Sequence, residues 1–168
     1  MRIGIVSDTH GVLAPRVLEG LTGCDVIVHA GDVGAAAVLR ALRTAAPEVL
    51  AVRGNNDVPR KWEGSRGELE ALPNEVVFEA PGGTVVVVHG HRVLPARDRH
   101  ARLRALHPAA RAIVYGHSHR RVLDLEETPW VINPGAAGRA RTFGGPSACI
   151  LTAGPRRWRV EALTTSSL

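Results

Sequence analysis

Residues 3–11 read IGIVSDTHG: an apolar run ending at Val6, followed by Ser7, Asp8, Thr9, His10 and Gly11. The β-branched content of the first four residues predicts a short buried strand. Just beyond it stand a carboxylate and an imidazole two residues apart. If the chain stays extended, Asp8 and His10 share a face; if it turns, Gly11 lets the backbone fold tightly. Either way both side chains can reach one divalent cation.

The same pairing of strand and chemical residue recurs along the chain. DVIVHA (25–30) leads to Asp32 within GDVG, and EVLAV (48–52) leads to Asn55, Asn56 and Asp57 within GNND. TVVVVH (84–89) ends in His89 and is followed by His91, and RAIVY (111–115) leads to His117 and His119 within GHSH. Clefts outside the carboxyl ends of strands are the usual ligand positions of open α/β sheets, so residues distant in sequence are expected to converge there. A carboxylate can bridge two cations, which suits Asp32 to a shared role, and an asparagine oxygen is a neutral hard donor. Taken singly, Asp32 also reads as a helix cap and Asn55 as a turn residue; recurrence at five strand ends favours the ligand role. His29, inside its strand, reads as structural. Asp57 reads as a cap or as a carboxylate behind a ligating histidine. His100 and His107, in an arginine-rich helical pattern, read as surface residues.

Helical patterns at 15–23, 34–46 and 95–107 alternate with the early strands and argue for an α/β architecture. Later, segments 120–127, 130–133, 147–153 and 156–165 follow one another with only turn signals between them, so consecutive strands are expected there. Both parallel and antiparallel pairing are predicted, with the second half supplying much of its own sheet. The polar stretch 55–66, NNDVPRKWEGSR, frames or covers a site. Trp130, which begins WVIN, is expected to pack internally. A length of 168 residues with 45% hydrophobic content predicts one domain over 1–168.

Twenty-one basic against 16 acidic residues give a formal charge of +5, spread along the chain. Nucleic-acid binding is permitted by that balance, not indicated by it. The arginines at 97, 99, 102, 104, 120 and 121 read as a solvated face, without the aromatic-basic pattern that stacks single-stranded bases. Cys24 and Cys149 form no thiolate metal spacing. The N-terminus lacks a signal-peptide pattern and no segment reaches 18 uninterrupted apolar residues, so a cytoplasmic protein is expected.

SDTHG, GDVG, GNND, HGH and GHSHR, followed by NPGA, resemble in order and spacing the motif series of the calcineurin-like metallophosphoesterases, in particular their small bacterial and archaeal phosphodiesterase branch. The resemblance spans Asp8 to Gly135. It implies a two-sheet β-sandwich flanked by helices, in four α/β/β/α layers, that holds two divalent metals. By resemblance, Asp8, His10, Asp32 and His119 bind the first, and Asp32 as the bridge, Asn55, His89 and His117 bind the second. Mn is common in such relatives, and Ni, Fe, Co, Mg and Zn also suit the ligand set.

The implied activity is hydrolysis of a phosphodiester by direct attack of a metal-bridging hydroxide. The absence of GxSxG and GK[ST] motifs agrees with it. The substrate expected is a small diester or nucleotide-like molecule. Many members of the wider family place a histidine after the metal-binding asparagine. Here Asn56 stands there, able to donate a hydrogen bond to a phosphoryl oxygen but not to act as a general acid. His91 is the nearest residue to compensate. Alternatives on the same fold are a protein-binding scaffold, resembling the retromer scaffold subunit, and a nuclease. Pairing of the strand-rich half across a two-fold axis would make a homo-oligomer.

Overall fold

In the computed structural model of the chain, which describes residues 1–139 and 141–164, IGIV lies within β1 (Arg2–Val6), the central strand of a five-stranded sheet. β1 pairs in parallel with β2 (Val26–His29), and β2 in parallel with β3 (Glu48–Ala51). A second sheet begins with the hairpin of β4 (Glu75–Ala80) and β5 (Gly83–Val88) and continues in parallel through β6 (Ala112–Val114) to β8 (Trp130–Pro134). β7 (Arg121–Asp124) closes its edge antiparallel to β8. The chain then returns to the first sheet, where β9 (Ser147–Ala153) runs antiparallel to β1 and β10 (Trp158–Thr164) antiparallel to β9. The strand orders are β10-β9-β1-β2-β3 and β4-β5-β6-β8-β7.

Each central strand is apolar on both faces, and its period of two divides the side chains between layers. Ile3, Ile5, Val26, Val28, Val85, Val87, Val114, Ile132 and Leu151 meet between the sheets. Val6, Ile27 and Ile150 face outward from the first sheet into a cluster with α1 (Pro15–Gly20) and α2 (Ala36–Ala45). Val86, Ile113 and Val131 face outward from the second, against Leu103 of α4 (Arg99–Leu106). The result is the expected four-layer α/β/β/α sandwich. Burial of each such side chain contributes about 1.5–3 kcal/mol.

Helix α2 shows why Asp32 is not a cap. Its first turn follows Ala35 with no side-chain capping bond, and it is held by the buried stripe Ala36, Val38, Leu39, Leu42 and Ala45. Two elements are absent from the sequence reading: β4, and α3 (Arg66–Glu70) at the end of the 55–66 stretch. The expected 95–107 helix is a 3-10 turn, Ala96–Asp98, followed by α4. Thr165, at the end of the last expected strand, lies outside the described residues. No helix among the described residues is long and apolar enough to cross a membrane.

Cys24 and Cys149 are both free and buried, in clusters on opposite faces of the first sheet. Burial raises both thiols and pushes Cys149 up to about 12, disfavouring the reactive thiolate at neutral pH. Ellman's reagent is therefore expected to label neither cysteine in the native protein and both once denaturant is added. Labelling of Cys149 in the folded state at neutral pH would contradict this packing.

Candidate metal centre

The strand-end segments continue to pair after the strands stop. Asp8 N–H donates to Gly31 O at 3.0 Å, His10 N–H to Asp32 O at 2.9 Å and Gly11 N–H to Val33 O at 2.8 Å, so SDTHG and GDVG run side by side. Asp8 then accepts from the Ser7 hydroxyl at 2.9 Å and from His117 N–H at 3.0 Å, which brings in the GHSH turn from the other sheet. Two glycines permit this closeness. A Cβ on Gly54 would lie 2.1 Å from Asp32 N and 2.2 Å from its Oδ1, and one on Gly116 would lie 1.9 Å from Ser7 Oγ. Asp57, 1% exposed, accepts from Val33, Gly34 and Gly54 N–H at 3.2, 2.8 and 2.8 Å, stapling the second strand-end loop to the third. Its hydrogen bonds go to backbone, and its charge also favours protonation of the nearby His10 ring.

Asp8, His10, Asp32, His117 and His119 all have positive φ, between 47° and 70°. In that left-handed region a Cβ is crowded by the backbone, and non-glycine residues are uncommon. Their side chains are thereby turned off the strand direction and into the cleft.

All seven sequence-predicted ligands come together. His10 Nε2 and His119 Nε2 are 3.2 Å apart, with His119 Nε2 3.5 Å from Asp8 Oδ1; these three residues form one group with the spacing for an ion. Asp8, Asp32 and His89 form a second, with His89 Nε2 3.4 Å from Asp32 Oδ2. Asn55 Oδ1 lies 3.1 Å from both His89 Nε2 and His117 Nδ1. His119 thus stands with His10 and Asp8, and His117 with Asn55 and His89. Asp8 belongs to both triads, while Asp32 Oδ2 faces His89 and, at 3.8 Å, His10.

The electrostatics suit a cation. Burial pushes the Asp8 carboxyl up to about 7, outweighing the His89 charge and the hydrogen bonds from Ser7 and His117 that favour the carboxylate. Burial also acts on Asp32, but hydrogen bonds from His89 and Asn56 and the His89 charge outweigh it and hold this carboxyl well below the usual range. Burial lowers His10, and lowers His117 to about 4, favouring neutral rings with lone pairs to share. Burial opposes charge on His89 as well, but the Asp32 carboxylate overrides it and raises that ring. Two facing Nε2 atoms at 3.2 Å and two neighbouring carboxylates make an oxygen- and nitrogen-rich donor set that a divalent metal fits.

The remaining predicted residues fall into place around this cluster. Asn56 clamps Asp32, its backbone N–H donating to Oδ1 and its Nδ2 to Oδ2, both at 2.7 Å. The His91 ring lies 5.3 Å from His89 and 6.2 Å from His117, and its Nδ1 is buried without a hydrogen-bond partner. His29 is fully buried and shares a 2.9 Å hydrogen bond with Thr9 Oγ1, a structural role as expected. The surface reading of His100 and His107 is corrected. His100 is half-buried between Asp124 Oδ2 at 2.8 Å and Tyr115 OH at 2.9 Å, and His107 meets Glu75 at 3.5 Å. Arg99 and Arg104 likewise leave the solvated face: Arg99 is buried over Tyr115, and Arg104 holds Asp124 and the Pro129 carbonyl. Trp62 is buried, and Trp130 packs edge-on against Trp158.

Two cations at the rim were missed by sequence reasoning. Lys61 Nζ donates to Asn56 Oδ1, and Arg141 Nη2 lies 3.1 Å from His119 Nε2. A lysine within a polar loop that starts at GNN was a usable signal for the first; nothing local marks the second.

The model of the calcineurin-like phosphoesterase superfamily domain matches residues 1–154. The chain belongs to this superfamily and, with relatives named metallophosphoesterase and phosphodiesterase, is a phosphoric ester hydrolase. It is 30% identical over 142 residues to a probable metallophosphoesterase of Methanocaldococcus jannaschii, covering 81% of this chain and 68% of that protein. It is 27% identical to a phosphodiesterase of the same organism, covering 80% and 83%. Among solved structures, an archaeal phosphodiesterase aligns over 97% of this chain and 100% of its own, with TM-score 0.71 and 25% identity. Vps29 of Entamoeba histolytica, in a complex with zinc, aligns over 97% and 98% with TM-score 0.74 and 20% identity, which shows the shared fold.

Proposed function

We propose that the protein is a dinuclear-metal-dependent phosphodiesterase acting on a small phosphodiester or nucleotide-like substrate. The observation that carries the reading is the split of the cluster into two adjoining donor groups, one around His10 and His119 and the other around His89, Asn55 and His117. Asp8, His10, Asp32 and His119 would hold one ion, and Asp32, Asn55, His89 and His117 the other, with Mn the expected metal. When bound, the cations supply Lewis acidity toward the phosphoryl group and lower the pKa of water at the site. The chain itself orients the donors: Asn56 fixes both oxygens of Asp32, Ser7 and the His117 backbone fix Asp8, and Asp57 sets the loops. Nothing resembling a nucleophile elbow accompanies the cluster in sequence, so direct hydrolysis without a covalent intermediate is the economical route. The phosphodiesterase relatives favour a diester substrate.

The proposal includes one domain over 1–168 acting in the cytoplasm. A substrate panel on metal-defined protein tests the activity. Mn-loaded protein is expected to hydrolyse bis(p-nitrophenyl) phosphate, and diesters faster than monoesters, whose additional negative charge adds to the demand on the site. Folded, metal-loaded protein inert toward every diester would reject the reading. If such protein instead captured a stable protein partner, the scaffold alternative would take its place; salt-dependent cleavage of DNA or RNA would indicate a nuclease.

A further inference from the structure

An alkoxide is a poor leaving group unless it receives a proton as its bond to phosphorus breaks, and an amide such as Asn56 has none to give near neutral pH. Asn56 is also engaged on three sides: its backbone N–H and Nδ2 donate to Asp32, and its Oδ1 accepts from Lys61 Nζ. The ammonium of Lys61 is thus a proton-bearing group one amide away from the carboxylate at the centre of the cluster. Its backbone is well anchored. Lys61 N–H donates to Val58 O at 2.9 Å, the buried Trp62 indole donates to Ser65 O at 2.9 Å, and Glu63 exchanges backbone bonds with Gly34 and Ala36 at 3.0 and 2.8 Å. An exposed flexible side chain therefore stands on a fixed stalk at the rim of the site. Arg141, the other cation at this rim, carries a guanidinium that does not release a proton in proteins.

We propose that Lys61 protonates the leaving oxygen of the diester. The inference rests on the phosphodiesterase reading above. As hydroxide adds to phosphorus, the opposite P–O bond breaks, its electron pair passes to the leaving oxygen, and that oxygen takes a proton from Lys61 Nζ. The neutral amine then regains a proton from water. For this, Nζ pivots from Asn56 Oδ1 to the leaving oxygen, a movement its long unbranched side chain permits.

The test is the dependence of rate on leaving group, using methyl aryl phosphates from p-nitrophenyl to unsubstituted phenyl on Mn-loaded protein. Wild type should show a shallow dependence. Lys61→Ala should lose about 100-fold on the phenyl ester, within the usual range for general acid catalysis, but less than about threefold on the p-nitrophenyl ester, which needs no proton. Lys61→Arg keeps the charge but not the acid and should behave like Lys61→Ala. Calorimetric Mn affinity should be unchanged in both variants, which separates a proton donor from a prop for Asp32. Equal losses on both esters, weakened Mn binding, full activity of Lys61→Arg, a wild-type profile as steep as the variant's, or a steepening seen in His91→Ala instead would each overturn the proposal. A wild type that hydrolyses none of the esters fails the phosphodiesterase reading itself, and the role of Lys61 with it.

Discussion

Mn-dependent hydrolysis of bis(p-nitrophenyl) phosphate is expected to fall by more than about 100-fold in Asp32→Asn, beyond what loss of a group behind a metal ligand costs. Asp32 is 1% exposed, faces His89 at 3.4 Å and His10 at 3.8 Å, and is the carboxylate on which Asn56 spends both donors. Asparagine has the same shape and tolerates the left-handed backbone that Asp32 adopts at φ 54°, so the fold should survive while the charge is lost. Asp32→Ala and His117→Ala should be as damaging to turnover, the latter by stripping the Asn55 and His89 group of its third member. Metal content by mass spectrometry and kcat/KM on the same preparations provide the check. Full metal content together with wild-type turnover in Asp32→Asn would remove Asp32 from the centre.

The second large effect should come from a single methyl group. Gly54→Ala places a carbon 2.1 Å from Asp32 N and 2.2 Å from Asp32 Oδ1. No rotamer relieves that clash, because backbone is involved on both sides; either the GNND loop or the GDVG loop must move. Overpacking of this kind costs about 1–3 kcal/mol. The displacement falls directly on Asp32 and on the N–H of Gly54 that Asp57 accepts, so Mn binding should be lost along with stability. Gly67→Ala in α3 is the matched control: its added Cβ meets only Ser65 Oγ at 3.7 Å, and alanine is the better helix former by about 1 kcal/mol. A melting curve and a Mn titration of both variants decide the matter. Equal Mn affinity in the two would show that the loops yield without disturbing Asp32.

The site was more legible in the sequence than its surroundings. Each ligand candidate follows a continuous β-branched run, and such runs are buried central strands whose ends are easy to place. β4 escaped because EVVFEA is a half-exposed edge strand, alternating between exposed and partly buried positions before Ala80, and it offers no continuous run. α3 has only Leu69 buried over its five residues, too little for a periodic signal. The reading of Asp57 required knowing which N–H groups converge on it, and three loops meet there only in the folded chain. His100 and Arg99 looked solvated because their partners Asp124, in β7, and Tyr115, just past β6, are distant in sequence; charge pattern along one helix does not reveal what lies across from it. Asn56 was legible as a departure from the family pattern, whereas its grip on Asp32 was not.

The five left-handed residues of the metal centre divide into two kinds. A non-glycine residue in that region costs up to about 1–2 kcal/mol that glycine would not, although Asp and His adopt it more readily than most. At positions 8 and 32 glycine would relieve the backbone but delete the carboxylates that accept from Ser7, His117 and Asn56, so these two residues hold the loops together as well as facing the cluster. At positions 10, 117 and 119 glycine would relieve the same backbone cost and remove imidazoles whose neighbours, His10 and His119 for each other and Asn55 for His117, belong to the cluster. Left-handed backbone at the metal centre is thus tied to the cluster at the three histidines, and to cluster and fold together at the two aspartates.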